Sequence, residues 1–278
     1  MSIIHEFEGG IRMLFKTYLS QRKSYRSYQK HDLDEGNLTQ LKYYMEQLNE
    51  AFGKDWFSLS FFENGHEVID KLKEVAGYHG VMIESPHYVG FSVKQDTYEA
   101  YIWGAFALAA LEKKAFELDV ESCWISLQEV SDEIRASVTA DPVEKTEAIL
   151  ALGQGKDHLP FRPNETSSRL ALKELVFEND LDHPFDLEKL ANWGLEDLFH
   201  YVRNSPSAYN HQLWRFVIRE GKVWLAMKSF DEPNEYLDAG IVMFLFEGLA
   251  NDDNYLGKWK LEPLHEEQGY SFVASYHL

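Results

Sequence analysis

Cysteine, basic residues and long apolar runs are all scarce in this chain of 278 residues. Its single cysteine, Cys123, excludes an internal disulfide and is expected to pack in the core. Lys and Arg number 27 against 46 Asp and Glu, which gives a net charge of −19. Because nucleic acids and anionic membranes are recognised through basic patches, we expect neither as a partner.

Membrane spans, secretion signals and metal motifs are missing as well. The longest apolar runs, Tyr101–Leu111 and Ala239–Phe246, fall short of the about 20 residues that cross a bilayer. The first ten residues carry Glu6 and Glu8 instead of a basic start followed by an apolar stretch. We therefore expect a cytoplasmic protein. The histidines show no metal-ligand spacing, so we expect no metal site.

Hydrophobic periodicity predicts alternating helices and strands, with a restart of the pattern after a polar linker at residues 158–168. Two segments are so apolar that they are expected to form buried helices. The main predicted elements are helices at 11–20, 98–118, 186–201 and 236–249, a helix opened by a capping box at 37–40, and strands at 56–62, 122–127, 213–218, 223–227 and 270–276.

The order of these elements is similar in two parts of the chain. Each part has an amphipathic helix, a strand led by a tryptophan (Trp56, Trp214), an apolar helix, and a segment with a further tryptophan (Trp124, Trp259). We predict two related halves, residues 1–165 and 166–278. The alternative is a chance alternation of helix and strand.

A basic run lies near the N-terminus. Between Gly9 and His31 there are six basic residues and no acidic one. Within it, the segment Arg22-Lys-Ser-Tyr-Arg26 alternates cations with a hydroxyl, a chemistry that suits a phosphate group. The alternative is a solvated basic helix end.

A second polar segment, Ser205–Trp214, lies between a predicted helix and a predicted strand. It is rich in amide and hydroxyl groups, and Asn210 and Gln212 each offer a donor and an acceptor. Such groups suit the edge of a planar heterocycle. The alternative is a polar turn capped by a buried Trp214.

Four segments together resemble motifs of FMN-dependent nitroreductases. Arg22-Lys-Ser-Tyr-Arg-Ser-Tyr28 is similar to the opening motif of that family, and Ser205-Pro-Ser-Ala-Tyr-Asn-His-Gln-Leu-Trp-Arg-Phe216 to its Pro-Ser-Ser-x-Asn-x-Gln-Pro-Trp-x-Phe motif. Leu237-Asp-Ala-Gly-Ile241 resembles the start of its central helix, and Ser122-Cys-Trp-Ile125 the strand that follows. The first two motifs lie in different halves, as in a single-chain branch of the family.

The resemblance implies an α+β fold, a three-layer α/β/α sandwich with mixed, mainly antiparallel sheets. The two halves would form a pseudo-dimer, so that a monomer mimics the family's homodimer. It also implies FMN as cofactor, NADH or NADPH as electron donor, and reduction of a small-molecule acceptor such as a nitroaromatic or a quinone in a ping-pong cycle. The alternative is a catalytically impaired flavin-binding or structural protein.

The resemblance further implies one flavin site per chain that uses groups from both halves. Its residues would come from the basic run, from the segment where a family backbone N–H reaches flavin N5, from a late arginine and from the amide segment: Arg22, Lys23, Ser24, Arg26, Ser126, Leu127, Arg169, Ser205, Pro206, Ser207, Asn210 and Gln212. No catalytic side chain is required. Leu127 departs from the family, which often has a glycine there.

Overall fold

The computed structural model describes residues 13–53, 55–77, 81–139, 144–156 and 168–278. These residues form two compact units. The continuous unit is drawn from Arg22–Glu165, and the split unit from Met1–Gln21 together with Thr166–Leu278. No helix in the described ranges is long and apolar enough to cross a membrane.

The continuous unit is built around a four-stranded antiparallel sheet. A π-helical turn at Asn49–Gly53 precedes its first strand. The helices and strands, in chain order, are α2 (Glu35–Leu48), β1 (Phe57–Phe62), α3 (Gly65–Leu72), β2 (His87–Val93), α4 (Tyr98–Glu117), β3 (Glu121–Ser126), α5 (Asp132–Val138) and β4 (Lys145–Gly153).

The split unit begins with helix α1 (Phe15–Gln21) and resumes at the far end of the chain. Its five-stranded sheet is antiparallel except for one parallel pair. The later elements are α6 (Leu172–Leu175), β5 (Val176–Glu178), α7 (Leu187–Asn192), α8 (Glu196–Val202), a 3-10 turn (Ala208–Asn210), β6 (Trp214–Arg219), β7 (Lys222–Met227), α9 (Pro233–Asp252), β8 (Trp259–Glu267) and β9 (Tyr270–His277).

Both sheets have the same strand order. The first reads β1-β2-β4-β3, and the second reads β6-β7-β9-β8 with β5 added at its edge. In each, the long apolar helix connects the second strand to the third along the chain. The shared topology supports the predicted duplication, and the parallel β5–β6 pair gives the mixed, mainly antiparallel sheet that was predicted.

The two long helices also carry corresponding residues at equivalent positions along their sequences. Helices α4 and α9 each have 20 residues, and counting from Tyr98 and Pro233 each has a buried glutamate at its fifteenth position, Glu112 and Glu247. A tryptophan twelve residues later bonds to that carboxylate in both cases, through the indole of Trp124 and through the backbone amide of Trp259. The helices are buried on nearly all sides, as their composition predicts.

Helices cover both faces of the sheet in the continuous unit. On one face, α4 lies so close to β2 that a Cβ added at Gly104 would be 1.9 Å from the ring of Phe91. On the other face, α3 and α5 pack against the sheet through a core that includes Val68, Leu72 and Val138. This is the three-layer arrangement predicted. Helix α3 was not among the elements predicted from the sequence.

Two local predictions are wrong. Helix α2 begins at Glu35 and is capped by Asp34, which accepts a hydrogen bond from the backbone amide of Asn37, so no capping box opens at Asn37. The single helix predicted at 186–201 is two helices, because Gly194 adopts a left-handed φ of 72° between them. At the predicted start of this segment, Asp186 caps α7 by accepting from the backbone amide of Lys189.

Helix α1 packs against α9 within the split unit. The ring of Phe15 lies against Phe244, with centroids 5.3 Å apart, and its backbone N–H donates to Asp252 at 2.6 Å. Lys16 pairs with Asp253 at 2.9 Å. At the N-terminus the compact units therefore differ from the predicted halves. The predicted linker at 158–168 lies almost wholly outside the described residues, and the ancestry of halves 1–165 and 166–278 stays a prediction.

We expect Gly248→Ala to weaken the packing of α1 against α9. A Cβ at this position would lie 2.2 Å from ring atoms of Phe15, which is fully buried and has no room to move away. The expected cost is about 1–3 kcal/mol in the free energy of unfolding, measured by urea denaturation. Phe15→Ala removes the clash, so the double variant should cost less than the sum of the two single changes. Strict additivity would contradict the packing described.

Candidate functional site

The basic segment of the continuous unit is extended and attached to the sheet. Ser24 forms a parallel bridge with Ser122 of β3, and the backbone amide of Tyr25 donates to the carbonyl of Ser122 at 2.9 Å. Farther along, Tyr28 pairs with Gly155, just after β4. Directly after the end of α1, the backbone of the segment is therefore extended and held along the edge strand β3.

Arg22 is committed to a buried ion pair. Its guanidinium lies 2.9 Å from the carboxylate of Glu112, and both side chains are less than a tenth exposed. The same carboxylate accepts hydrogen bonds from Ser122 and Trp124. Burial alone would raise the pKa of Glu112. The positive charge of Arg22 and the hydrogen bonds from Arg22, Trp124 and Ser122 instead hold this pKa below its ordinary value. Glu112 is therefore ionised and anchors the basic segment to α4.

The next two cations of the segment differ from Arg22. Lys23 and Arg26 are exposed, and Ser24 between them is partly buried. Ser24 and Arg26 both lie near Cys123, whose thiol is buried; burial raises its pKa to about 11. Cys123 is thus a packed core residue, as predicted. The exposed part of the segment carries positive charge on a fixed backbone.

Ser126 and Leu127 lie at the end of β3. Ser126 is exposed, and its hydroxyl accepts from the backbone amide of Gln128 at 3.3 Å. The backbone N–H of Leu127 donates to the carbonyl of Glu147 at 3.0 Å, and its side chain is fully buried in the core. The amide that the resemblance implies for flavin N5 therefore already has an acceptor within the protein.

In the split unit, the predicted amide segment forms a tight, irregular loop between α8 and β6. We call residues Ser205–Leu213 the amide loop. Three of its non-glycine residues have a left-handed backbone: Tyr209 with φ 49°, Asn210 with φ 59° and Gln212 with φ 51°. Such conformations are unfavourable for residues with a Cβ, and they cluster where a backbone shape serves a function. Ser207 braces the loop by accepting from the amide of Gln212.

Arg169 and the loop amides form one hydrogen-bond network. Arg169 donates to the carbonyl of Ser205 at 2.8 Å and to the side-chain oxygen of Asn210 at 3.1 Å. Gln212 accepts from the amide of Leu170 and donates to the carbonyl of Ser168, to which Asn210 also donates. The structure thus brings together the site residues predicted in the second half. Ser205 is buried, while Pro206 and Ser207 are partly buried.

A buried carboxyl holds the other side of the loop. Asp238 on α9 accepts from the backbone N–H of Ala208 through both oxygens, at 3.0 and 3.3 Å. Burial raises the pKa of Asp238 to about 8, and the negative charge of Glu235 adds to the shift. The sequence motifs assigned no role to Asp238 or to Glu112. The signal for both was an acid in or directly beside a very apolar stretch of helix, because such a group needs a partner.

The comparisons with known proteins agree with this architecture. A family model described as "Putative TM nitroreductase" matches residues 15–250. The chain belongs to this family. The structure of this chain also matches a crystal structure described as a "putative nitroreductase" from Thermotoga maritima. The two are 13% identical with a TM-score of 0.59, and the match covers 100% of this chain and 99% of the other. This similarity confirms the predicted nitroreductase-like fold.

Two other family structures match part of the chain. A nitroreductase with bound FMN from Bacteroides fragilis is 16% identical over 56% of this chain and 96% of its own, with a TM-score of 0.45. Nitroreductase A from Vibrio parahaemolyticus is 12% identical over 66% and 83%, with a TM-score of 0.47. At these scores neither adds to the fold assignment. No curated protein matched the sequence significantly.

We expect Glu112→Gln to destabilise the protein far more than Glu247→Gln. The first change leaves the guanidinium of Arg22 buried without its counter-charge, at a cost of about 3–5 kcal/mol. Glu247 has the same place in α9, but burial raises its pKa to about 7 and no arginine among the described residues pairs with it, so an amide should cost under about 1 kcal/mol. Urea unfolding at pH 7 measures both. Equal costs would contradict the ion pair.

Asp238 should make stability fall with rising pH. Its folded pKa of about 8 lies above the ordinary 3.8, so the folded state binds the proton more tightly and the benefit is lost as pH rises through that window. Relative to Asp238→Asn, the wild type should lose on the order of a few kcal/mol between pH 5 and pH 9. Guanidinium unfolding at several pH values gives the difference, and a flat difference would show that Asp238 titrates normally.

Proposed function

We propose that the protein is an FMN-dependent oxidoreductase that passes electrons from NADH or NADPH to a small acceptor. The observation that carries the proposal is the amide loop, in which three residues have a left-handed backbone. An arginine and a buried acid hold the loop in this unfavourable shape. That loop bears the motif through which the chain resembles FMN-dependent nitroreductases. Strain maintained in this way is typical of a binding site.

The donors of the basic segment fit a phosphate group. Lys23 and Arg26 present positive charge at the surface from a backbone fixed beside β3, and Ser24 adds a hydroxyl between them. Charge-assisted hydrogen bonds of this kind are the strong ones for phosphate oxygens. We assign the FMN phosphate to Lys23, Ser24 and Arg26. Arg22 instead holds the segment in place through Glu112.

The polar side chains of the split unit serve a different purpose in this proposal. Because Arg169, Asn210 and Gln212 bond to one another and to nearby backbone, they shape the amide loop. The loop would then present Pro206 and Ser207 to the flavin. FMN, when bound, supplies the chemistry of accepting and donating hydride. The protein binds and orients it, while the electron donor and the acceptor, such as a nitroaromatic or a quinone, bind in turn at the same place.

A second candidate is a flavin-binding protein without efficient turnover. It is favoured by Leu127, whose backbone N–H is bonded to Glu147 and whose side chain is fully buried. In the family resemblance this amide reaches flavin N5, and a hydrogen bond there would tune the cofactor. Without it, FMN would still bind through its phosphate to the basic segment.

We expect the purified protein to bind one FMN per chain and NADH or NADPH to bleach the flavin absorbance without oxygen. Lys23→Ala with Arg26→Ala should weaken FMN binding on the order of a hundredfold, since two charge-assisted bonds to phosphate are lost. Lys73→Ala, an exposed cation of the same unit, is the matched control. Fluorescence titration gives the affinities.

The two candidates separate at the second step. Bound FMN that NADH and NADPH leave oxidised favours the protein without turnover. If the protein takes up no FMN at all, both are wrong. An FMN affinity unchanged in the double variant would refute the phosphate assignment.

A further inference from the structure

We propose that Asp238 is a positioning residue, which holds the amide loop in the backbone shape that binds the flavin without touching the flavin itself. This inference rests on the proposed function. Asp238 belongs to helix α9 and is 3% exposed, and its carboxyl receives the backbone N–H of Ala208 on both oxygens. Ala208 opens the 3-10 turn of the loop, so the contact fixes the loop where its direction changes.

The strain in the loop explains why such a contact is needed. Tyr209, Asn210 and Gln212 all follow Ala208 within four residues, and all three have a positive φ. Because such conformations cost free energy, contacts with the surrounding structure are needed to maintain them. Arg169 holds one side through the carbonyl of Ser205 and the amide of Asn210, and Asp238 holds the other.

The duplicated helix in the continuous unit supplies an independent observation. Asp238 is the sixth residue of α9, counting from Pro233, and the sixth residue of α4, counting from Tyr98, is Trp103. The indole of Trp103 stacks on Phe52, with centroids 6.2 Å apart and planes at 26°. It also meets Phe106 edge-on at 5.5 Å.

Phe52 belongs to the segment that precedes β1, as the amide loop precedes β6. That segment is the π-helical turn Asn49–Gly53, which lacks the loop motif. It is held by the packing of Phe52 on Trp103 and by two hydrogen bonds between the side chain of Asn49 and the backbone of Leu59. The unit that contains Asp238 therefore has the amide loop, and the unit that has Trp103 at the equivalent position does not. This correlation is what a positioning role for Asp238 predicts.

The contact can be removed from either end. Asp238→Ala deletes the acceptor. Ala208→Pro deletes the donor with little backbone change, because Ser207 before it is extended (φ −146°, ψ 159°) and the first position of a helical turn accepts proline. Each change should weaken FMN binding on the order of tenfold or more by fluorescence titration. Because both delete the same contact, the double variant should bind no worse than the weaker single one.

Two further variants separate positioning from general stability. Glu247→Gln changes a second buried acid of α9 that bonds to Trp259, so it should leave FMN affinity within about twofold of wild type. Asp238→Asn keeps an oxygen that accepts from Ala208, so it should recover most of the affinity lost in Asp238→Ala. A merely structural role predicts instead that affinity follows the melting temperature across all variants, Glu247→Gln included.

The outcomes distinguish this inference from the proposed function. If the wild type binds no FMN, the proposed function is wrong. If the wild type binds FMN and Ala208→Pro binds it equally well, the positioning role of Asp238 is wrong while the flavin proposal stands. Should Asp238→Ala fail to fold, the other two variants test the positioning role. Ala208→Pro keeps the carboxyl of Asp238, and Asp238→Asn replaces it with an amide of the same shape.

Discussion

Two helices that are buried on nearly all sides impose the main constraint on this protein. Each is buried over most of its length, so a buried carboxyl within it requires a polar partner. Glu112 obtains Arg22 and thereby attaches the basic segment to the sheet. Asp238 obtains the amide of Ala208 and thereby shapes the amide loop. The segments that resemble cofactor-binding motifs are thus positioned by acids inside the core.

Sequence patterns predicted the helices and strands that are long and apolar, because burial on all sides leaves a strong compositional signal. The tryptophan-led strands and the duplicated order followed from the same signal. Helix α3 was missed, since eight residues with one apolar face are hard to tell from a turn. The break at Gly194 was missed because periodicity continues across it, and only a left-handed backbone shows the end of a helix.

The candidate site was predictable in its composition but not in its connections. Motif resemblance implied Arg169, Asn210 and Gln212 as site residues, and they are neighbours in the structure, yet no motif could show that they bond to one another. Nor could spacing show that Arg22 is paired, since Glu112 is 90 residues away in the chain. Partners of this kind depend on tertiary structure. The commitment of the Leu127 amide to Glu147 is a further case.

The position of helix α1 has a consequence for the order of folding. Its amide at Phe15 bonds to Asp252, 237 residues later, so this contact forms only after residue 252 has been synthesised. The residues of the continuous unit leave the ribosome well before that point. Contacts this distant in sequence are slow to form because of the entropy of closing so long a loop. During synthesis, helix α1 therefore cannot pack against α9 until the end of α9 has been made.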